Sequence, residues 1–315
     1  MENHLITGIH HITALASGAK ANKEFYTDVI GQRLVKRTVN FDAPEVYHLY
    51  YGDAAGSPGT LITFFPYEGL VRGRGGAGQV QYTRYTAPKA ARAFWSDRLI
   101  EKRITFQTAE SPFGESLLRF TDPDGMGIEI VFTSELGPGQ PNGNPSANIP
   151  ADAALSGFHS AQLHVTQASP TEAVLEQLLG YTLAERQGAY SRLVAPGKVA
   201  APGHYIDIYA NNQARALQGA GSVHHIAFRT PTEASQRQVR ALVEASGLHV
   251  TEVLDRNYFR SIYFREPGGI LFEVATDPPG MATDEPLETL GQKLQLPEWL
   301  EPRRAQIEGE LAHLD

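Results

Sequence analysis

A His-His dipeptide occurs twice in this chain, in Gly8-Ile9-His10-His11-Ile12-Thr13 and in Ser222-Val223-His224-His225-Ile226-Ala227. Both copies lie in short apolar runs of strand character. Successive side chains of a strand point to opposite faces, so one imidazole of each pair is expected to face a cavity and the other to face away. His225 shares a face with Val223 and Ala227, whereas His224 goes with Ile226 and Phe228 in what reads as packing beneath a helix. His225, and by the same register His11, are the candidate cavity residues. A carboxylate completes the set. Glu273 sits at the centre of the apolar segment Ile270-Leu271-Phe272-Glu273-Val274-Ala275, just after a glycine turn. An ionised carboxylate buried there needs a cation or strong donors beside it. Two neutral imidazoles and one carboxylate on neighbouring strands form a facial triad that leaves coordination positions open. Such a triad suits non-haem Fe(II), with Mn(II) as a variant. Separate structural roles would account for a lone histidine, but less well for a repeated pair plus a buried charge.

The strands that carry these residues belong to a repeated pattern. The first unit reads as a strand over 9–15, a helix over 19–29, and strands over 32–39, 46–51 and 60–65. The second repeats the order, with a strand over 79–86, a helix over 88–99 and strands over 105–109, 116–121 and 128–132. A third has a strand over 161–165, a helix over 170–179 and a final strand over 205–209. The fourth spans 222–276 with its helix over 232–246. Glu129, Asp207 and Glu273 recur at the last strand of their units. Gly and Pro punctuate 137–145 so densely that neither helix nor strand can form, which marks a linker. The resulting expectation is an α+β protein of two domains, each a curved mixed-sheet cup of two βαβββ modules. The boundaries are 1–136, a linker at 137–156, a second domain at 157–276 and a tail at 277–315. In the tail, Pro302 followed by Ile307 and Leu311 predicts a helix, with Trp299 covering the core.

With 27 Lys and Arg against 35 Asp and Glu, the net charge of −8 argues against nucleic acid and against an anionic membrane as partner. The absence of cysteine excludes disulfides, thiolate catalysis and Cys-based metal sites, so any metal must use N and O ligands. No segment approaches the roughly 18 apolar residues of a membrane span and no signal-like amino terminus is seen, which points to a cytoplasmic location. The sequence leaves room for a homo-oligomer.

Four βαβββ units with His on the first strand and Glu on the last resemble the vicinal oxygen chelate superfamily of glyoxalases, bleomycin resistance proteins and extradiol dioxygenases. Within it, the two His-His segments, Val46-Tyr47-His48-Leu49-Tyr50-Tyr51-Gly52-Asp53 and Asp255-Arg256 with Tyr258-Phe259-Arg260-Ser261-Ile262-Tyr263-Phe264 resemble the ring-cleaving dioxygenases that open hydroquinones. The resemblance implies metal-ligand slots on the first and last strand of each unit. Units one and four supply His11, Thr63, His225 and Glu273. Units two and three supply Gln81, Glu129, Gln162 and Asp207, a set without imidazole in which no catalytic metal is expected. The ligands would then come from both ends of the chain. The implied reaction is insertion of both atoms of O2 into a small dihydroxylated aromatic. Tyr263, on the face of Ser261 and Arg265, is placed to hydrogen-bond a substrate oxygen, with a rim position as the alternative. Arg256 would stabilise an anionic phenolate. His10 and His224 would act as bases or would fix the ligand strands by hydrogen bonds. His48 and His204 read as structural or surface residues.

Two competing readings remain at this level. A glyoxalase-like isomerase or lyase using Ni(II) or Zn(II) would want a fourth protein ligand as base, where this chain has Thr63. A non-catalytic protein that sequesters an aromatic antibiotic would need no metal triad.

Overall fold

The computed structural model describes residues 4–134, 147–197 and 203–314. The expected linker run 137–145 lies outside the described residues. Among the described residues, sixteen strands fall into four βαβββ modules. The first has β1 (Ile9–Ala16), α1 (Ala19–Glu24), β2 (Arg33–Asn40), β3 (Ala43–Gly52) and β4 (Leu61–Pro66). The second has β5 (Gln79–Pro88), α2 (Arg92–Glu101), β6 (Gln107–Glu110), β7 (Ser116–Thr121) and β8 (Gly127–Thr133). The third comprises β9 (Phe158–Val165), α3 (Ala168–Gln177), β10 (Thr182–Gln187), β11 (Tyr190–Val194) and β12 (Tyr205–Ala210). The fourth comprises β13 (Ser222–Thr230), α4 (Glu233–Ala245), β14 (Leu254–Asp255), β15 (Phe259–Arg265) and β16 (Leu271–Pro279). A short helix, α5 (Arg304–Glu310), ends the described tail. None of these helices is long and apolar enough to cross a membrane.

The strands build two eight-stranded mixed sheets. One runs β14-β15-β16-β13-β1-β4-β3-β2 and the other β10-β11-β12-β9-β5-β8-β7-β6. Each sheet therefore joins one module from each half of the chain, first with fourth and second with third, rather than assembling within 1–136 and within 157–276. The seams are the antiparallel pairs β1/β13 and β5/β9. The crossings between sheets, after β4 and after β12, run beside each other through bridges such as Arg72 to Ala220 and Ala77 to Arg215. Gly221 ends the second crossing. Its φ of 76° and the Asp124 carbonyl oxygen, 2.2 Å from where a Cβ would sit, leave room for no side chain.

The sequence pattern anticipated most elements because apolar alternation marks a half-buried strand. Two strands of the third module escaped it. β10 is exposed along its whole length and lies at a sheet edge, so no buried face imposes a hydrophobic period on it. In α4, Thr232 accepts a hydrogen bond from the Ser235 amide at 3.1 Å, and Val239 and Val243 point into the core at i and i+4. The tail folds back over β2. Leu290, Leu296, Leu300 and Ile307 are buried, while Lys36 of β2, itself fully buried, donates to Glu285 at 2.7 Å. Trp299 does not cover the core as expected. It is 56% exposed and meets only the ring of Phe41 edge-on among described aromatic contacts.

Candidate active site

The β1/β13 seam brings the two His-His dipeptides together, and its register corrects the strand alternation expected for them. Ile9 pairs with Phe228 and His11 with Ala227, so His10 is an extra residue on β1. Thr13 pairs with His225 and Ala14 with Val223, so His224 is an extra residue on β13. Each is a β-bulge, which breaks the two-residue period and re-aims a side chain. The two imidazoles of each pair consequently touch rather than face apart. His10 Nδ1 lies 2.9 Å from His11 Nδ1, and His224 Nδ1 lies 2.8 Å from His225 Nδ1. His224 also lines the cavity described below instead of only packing beneath a helix.

With Nδ1 occupied in this way, Nε2 of His11 and of His225 face each other at 3.3 Å. Glu273, carried on β16 next to β13, completes the cluster. Its Oε2 is 2.8 Å from His225 Nε2 and 3.4 Å from His11 Nε2. All three residues are buried, and each offers one ligand atom within 4.8 Å of the others. Glu273 Oε1 accepts a hydrogen bond from the Ser261 hydroxyl of β15. Oε2 makes no hydrogen bond despite being buried. A buried carboxylate oxygen without a donor, converging with two imidazole nitrogens, fits a cation better than it fits a hydrogen-bond network. The protonation states suit that cation. Burial holds the His225 imidazole below its ordinary value. Burial alone would raise Glu273, but the adjacent His11 and His225 outweigh it and hold the carboxyl well below the usual range. Neutral imidazole and ionised carboxylate are the forms a metal binds.

The cluster opens into a cavity of about 520 Å³ whose wall includes Phe41, Phe65, Tyr67 and Phe259. Tyr263 and Arg256 stand in this wall. The Arg256 Nε donates to the Tyr263 hydroxyl at 3.3 Å, and the guanidinium lies over the Tyr263 ring at 5.4 Å. Burial pushes the Tyr263 hydroxyl up from 10.0, so it is a protonated donor at neutral pH. The sequence reading missed two residues here. His48 and Tyr50 also line the cavity, and His48 is not a surface residue. The signal that could have found them is the alternation Tyr-His-Leu-Tyr-Tyr, which puts 48 and 50 on one face of β3. His204 is buried outside this cavity, against Tyr205.

The other sheet shows what became of the matching slots. There Glu129 pairs with Arg84 and Asp207 with Gln162, as Glu273 pairs with Ala227. Counting two residues back along each first strand, as from Ala227 to His225, the positions matching His11 and His225 are Tyr82 and Ser160 rather than Gln81 and Gln162. Arg84, 1% exposed, fills the space between: its Nε donates to Glu129, Nη1 to Asp207 and Nη2 to Gln162. Arg119 and Arg192 add further bonds to Glu129 at 2.6 Å and to Asp207 at 2.7 Å. A guanidinium fork supplies the positive charge that two buried carboxylates require.

The sequence pattern of the Glyoxalase/Bleomycin resistance protein/Dioxygenase superfamily matches residues 8–130 and 158–274, which together cover both sheets. This chain belongs to that superfamily. Among its relatives is "Putative ring-cleaving dioxygenase MhqO" of Bacillus subtilis (strain 168), 45% identical over 96% of this chain and 94% of that protein. Another is chlorohydroquinone/hydroquinone 1,2-dioxygenase of Sphingobium indicum, 35% identical over 94% of this chain and 93% of that one. A crystal structure of a "putative dioxygenase" from Bacillus subtilis superposes with a TM-score of 0.93 at 44% identity, covering 98% of both chains. The superfamily fold thus spans both eight-stranded sheets.

Proposed function

We propose that this protein is a ring-cleaving dioxygenase of the extradiol type. It opens a hydroquinone or related dihydroxylated aromatic with insertion of both atoms of O2, and uses Fe(II), with Mn(II) as a variant, held by His11, His225 and Glu273. The observation that carries the reading is the buried Glu273 Oε2, which lacks a donor and meets two imidazole Nε2 atoms at the base of an aromatic-walled cavity. When bound, the metal supplies a centre at which an aromatic hydroxyl and dioxygen can be held side by side. The names of the similar proteins from Bacillus and Sphingobium support the ring-cleaving chemistry.

The chain's own residues divide the remaining work. His10 and His224 hold Nδ1 of the two ligand rings, which fixes ring orientation and the tautomer that leaves Nε2 free. Burial keeps both well below 6.5, so they act as neutral acceptors. Arg256 places a permanent positive charge beside the cavity, where it favours a phenolate over a phenol. Tyr263, held by Arg256, presents a hydroxyl next to His225, the ring centroids being 5.7 Å apart. It can donate to a developing oxyanion. The phenyl rings of Phe65 and Phe259 exclude water and pack a planar substrate.

A glyoxalase-like proton transfer is less well served. Thr63 stands where a fourth ligand would be, and its hydroxyl is engaged by Thr13 at 2.8 Å and by His48 at 2.9 Å. Reaction under labelled dioxygen decides the matter: the mass of the product from hydroquinone should show both atoms incorporated. An unlabelled isomer of the substrate would overturn the proposal.

A further inference from the structure

The proposed reaction uses His11, His225, Glu273 and the residues beside them, yet leaves a second polar group in the cavity without a task. His48 and Tyr50 of β3 are linked to each other and to the floor of the sheet. The His48 Nδ1 lies 2.9 Å from the Tyr50 hydroxyl, and its Nε2 lies 2.9 Å from the Thr63 hydroxyl, which in turn lies 2.8 Å from that of Thr13. An imidazole whose two nitrogens are both engaged cannot turn, so the Tyr50 hydroxyl is held in one place.

The sheet register locates this group relative to the metal cluster. Tyr50 pairs with Thr63, Thr63 with Thr13, and Thr13 with His225. One row of residues thus crosses β3, β4, β1 and β13, and Tyr50 stands three strand spacings, about 14 Å along the sheet, from His225. Both ends of the row line the same cavity. An aromatic ring seated at the cluster by one hydroxyl and lying along this row would bring its opposite edge toward β3. Two other polar pairs of the cavity wall bond to each other: Asn40 Nδ2 donates to the Tyr67 hydroxyl at 3.1 Å, and Arg256, which already has a task in the reading above, donates to Tyr263 at 3.3 Å.

We propose that Tyr50, positioned by His48, recognises the second hydroxyl of the substrate, the one across the ring from the hydroxyl at the metal cluster, and so selects para-dihydroxylated rings. The inference rests on the ring-cleaving reading above. A tyrosine hydroxyl with one bond to an imidazole keeps a further hydrogen-bonding capacity for a ligand. Burial holds His48 well below 6.5 and Tyr50 well above 10.0, so both stay neutral. With Nε2–H donating to Thr63, the Tyr50 hydroxyl donates to Nδ1 and its oxygen accepts from the substrate. In the other tautomer Nδ1–H donates to Tyr50, whose proton then turns to the cavity. The same pair can meet a hydroxyl as donor or as acceptor without creating a charge.

The test compares hydroquinone with phenol, which lacks the second hydroxyl, by calorimetric titration without oxygen, using the purified protein, Tyr50→Phe and His48→Gln. Oxygen uptake with hydroquinone is followed on the wild-type protein in parallel. The wild-type protein should prefer hydroquinone. Tyr50→Phe should lose about tenfold of that preference, the worth of one hydrogen bond, with phenol binding unchanged. His48→Gln, which keeps an amide toward Thr63 but frees the Tyr50 hydroxyl, should lose a similar share. A preference unchanged in Tyr50→Phe, while the wild-type protein binds hydroquinone and consumes oxygen with it, overturns the inference and leaves the ring-cleaving reading standing. A wild-type protein that neither binds hydroquinone nor consumes oxygen with it overturns both.

Discussion

His11 and His225 lie 214 positions apart in the chain, yet their Nε2 atoms stand 3.3 Å from each other across the seam between β1 and β13. That closeness belongs to the seam rather than to either half. Residues 1–145 and 151–315 produced as separate chains should each lack bound metal and activity, because neither holds both imidazoles. Oxygen uptake by the isolated carboxy-terminal half would show His11 to be dispensable.

His225→Ala should reduce bound iron to background, read by elemental analysis of the purified protein. In the wild-type protein, stripping the metal should lower the melting temperature. Restoring it to a hundredfold excess over its Kd should return about 2.7 kcal/mol. A variant that retained iron tightly would remove His225 from the ligand set.

Tyr263→Phe keeps the ring and deletes one hydroxyl. If that hydroxyl meets the substrate, kcat/KM should fall by roughly tenfold to a thousandfold while metal content is unchanged. Unchanged kinetics would make Tyr263 a wall residue only.

Arg84 holds Glu129 and Asp207 together at the centre of the second sheet. Removing one partner of such a cluster leaves buried charge unpaired, so Arg84→Met should cost about 3–5 kcal/mol in denaturant unfolding. A loss below 1 kcal/mol would mean that Arg119 and Arg192 satisfy both carboxylates without it.

Stability of the metal-free protein should fall on acidification. Burial lowers the folded-state values of His10, His48 and His225 below 6.5 and that of His224 to about 3. The unfolded chain therefore takes up protons first as pH falls through about 6.5, which favours unfolding. Glu273, also lowered, adds to the loss as pH falls below about 4.5, its ordinary value. Urea midpoints should be level above pH 7 and decline steadily below 6.5. A midpoint that rose between pH 6.5 and 4 would contradict the buried neutral histidines.

The sequence by itself determined the fourfold repeat, the full strand and helix order of its first two units, and the identity of the three converging residues. Apolar alternation reports a buried strand face, and a carboxylate such as Glu273 inside one advertises its need for a cation. It could not determine which modules share a sheet, because seam pairing is a long-range choice that leaves no local period. Nor could it show that His10 and His224 sit at bulges, where one residue unmatched by the partner strand turns two adjacent imidazoles toward each other. The role of Arg84 was hidden for the same reason: only the register that sets it between Glu129, Asp207 and Gln162 distinguishes a cluster-filling guanidinium from a charge on a strand. His48 and Tyr50 were visible as neighbours on one face, but that face became a cavity wall only because the fold sets His224 and His225 of β13 and Phe259 and Tyr263 of β15 around the same space.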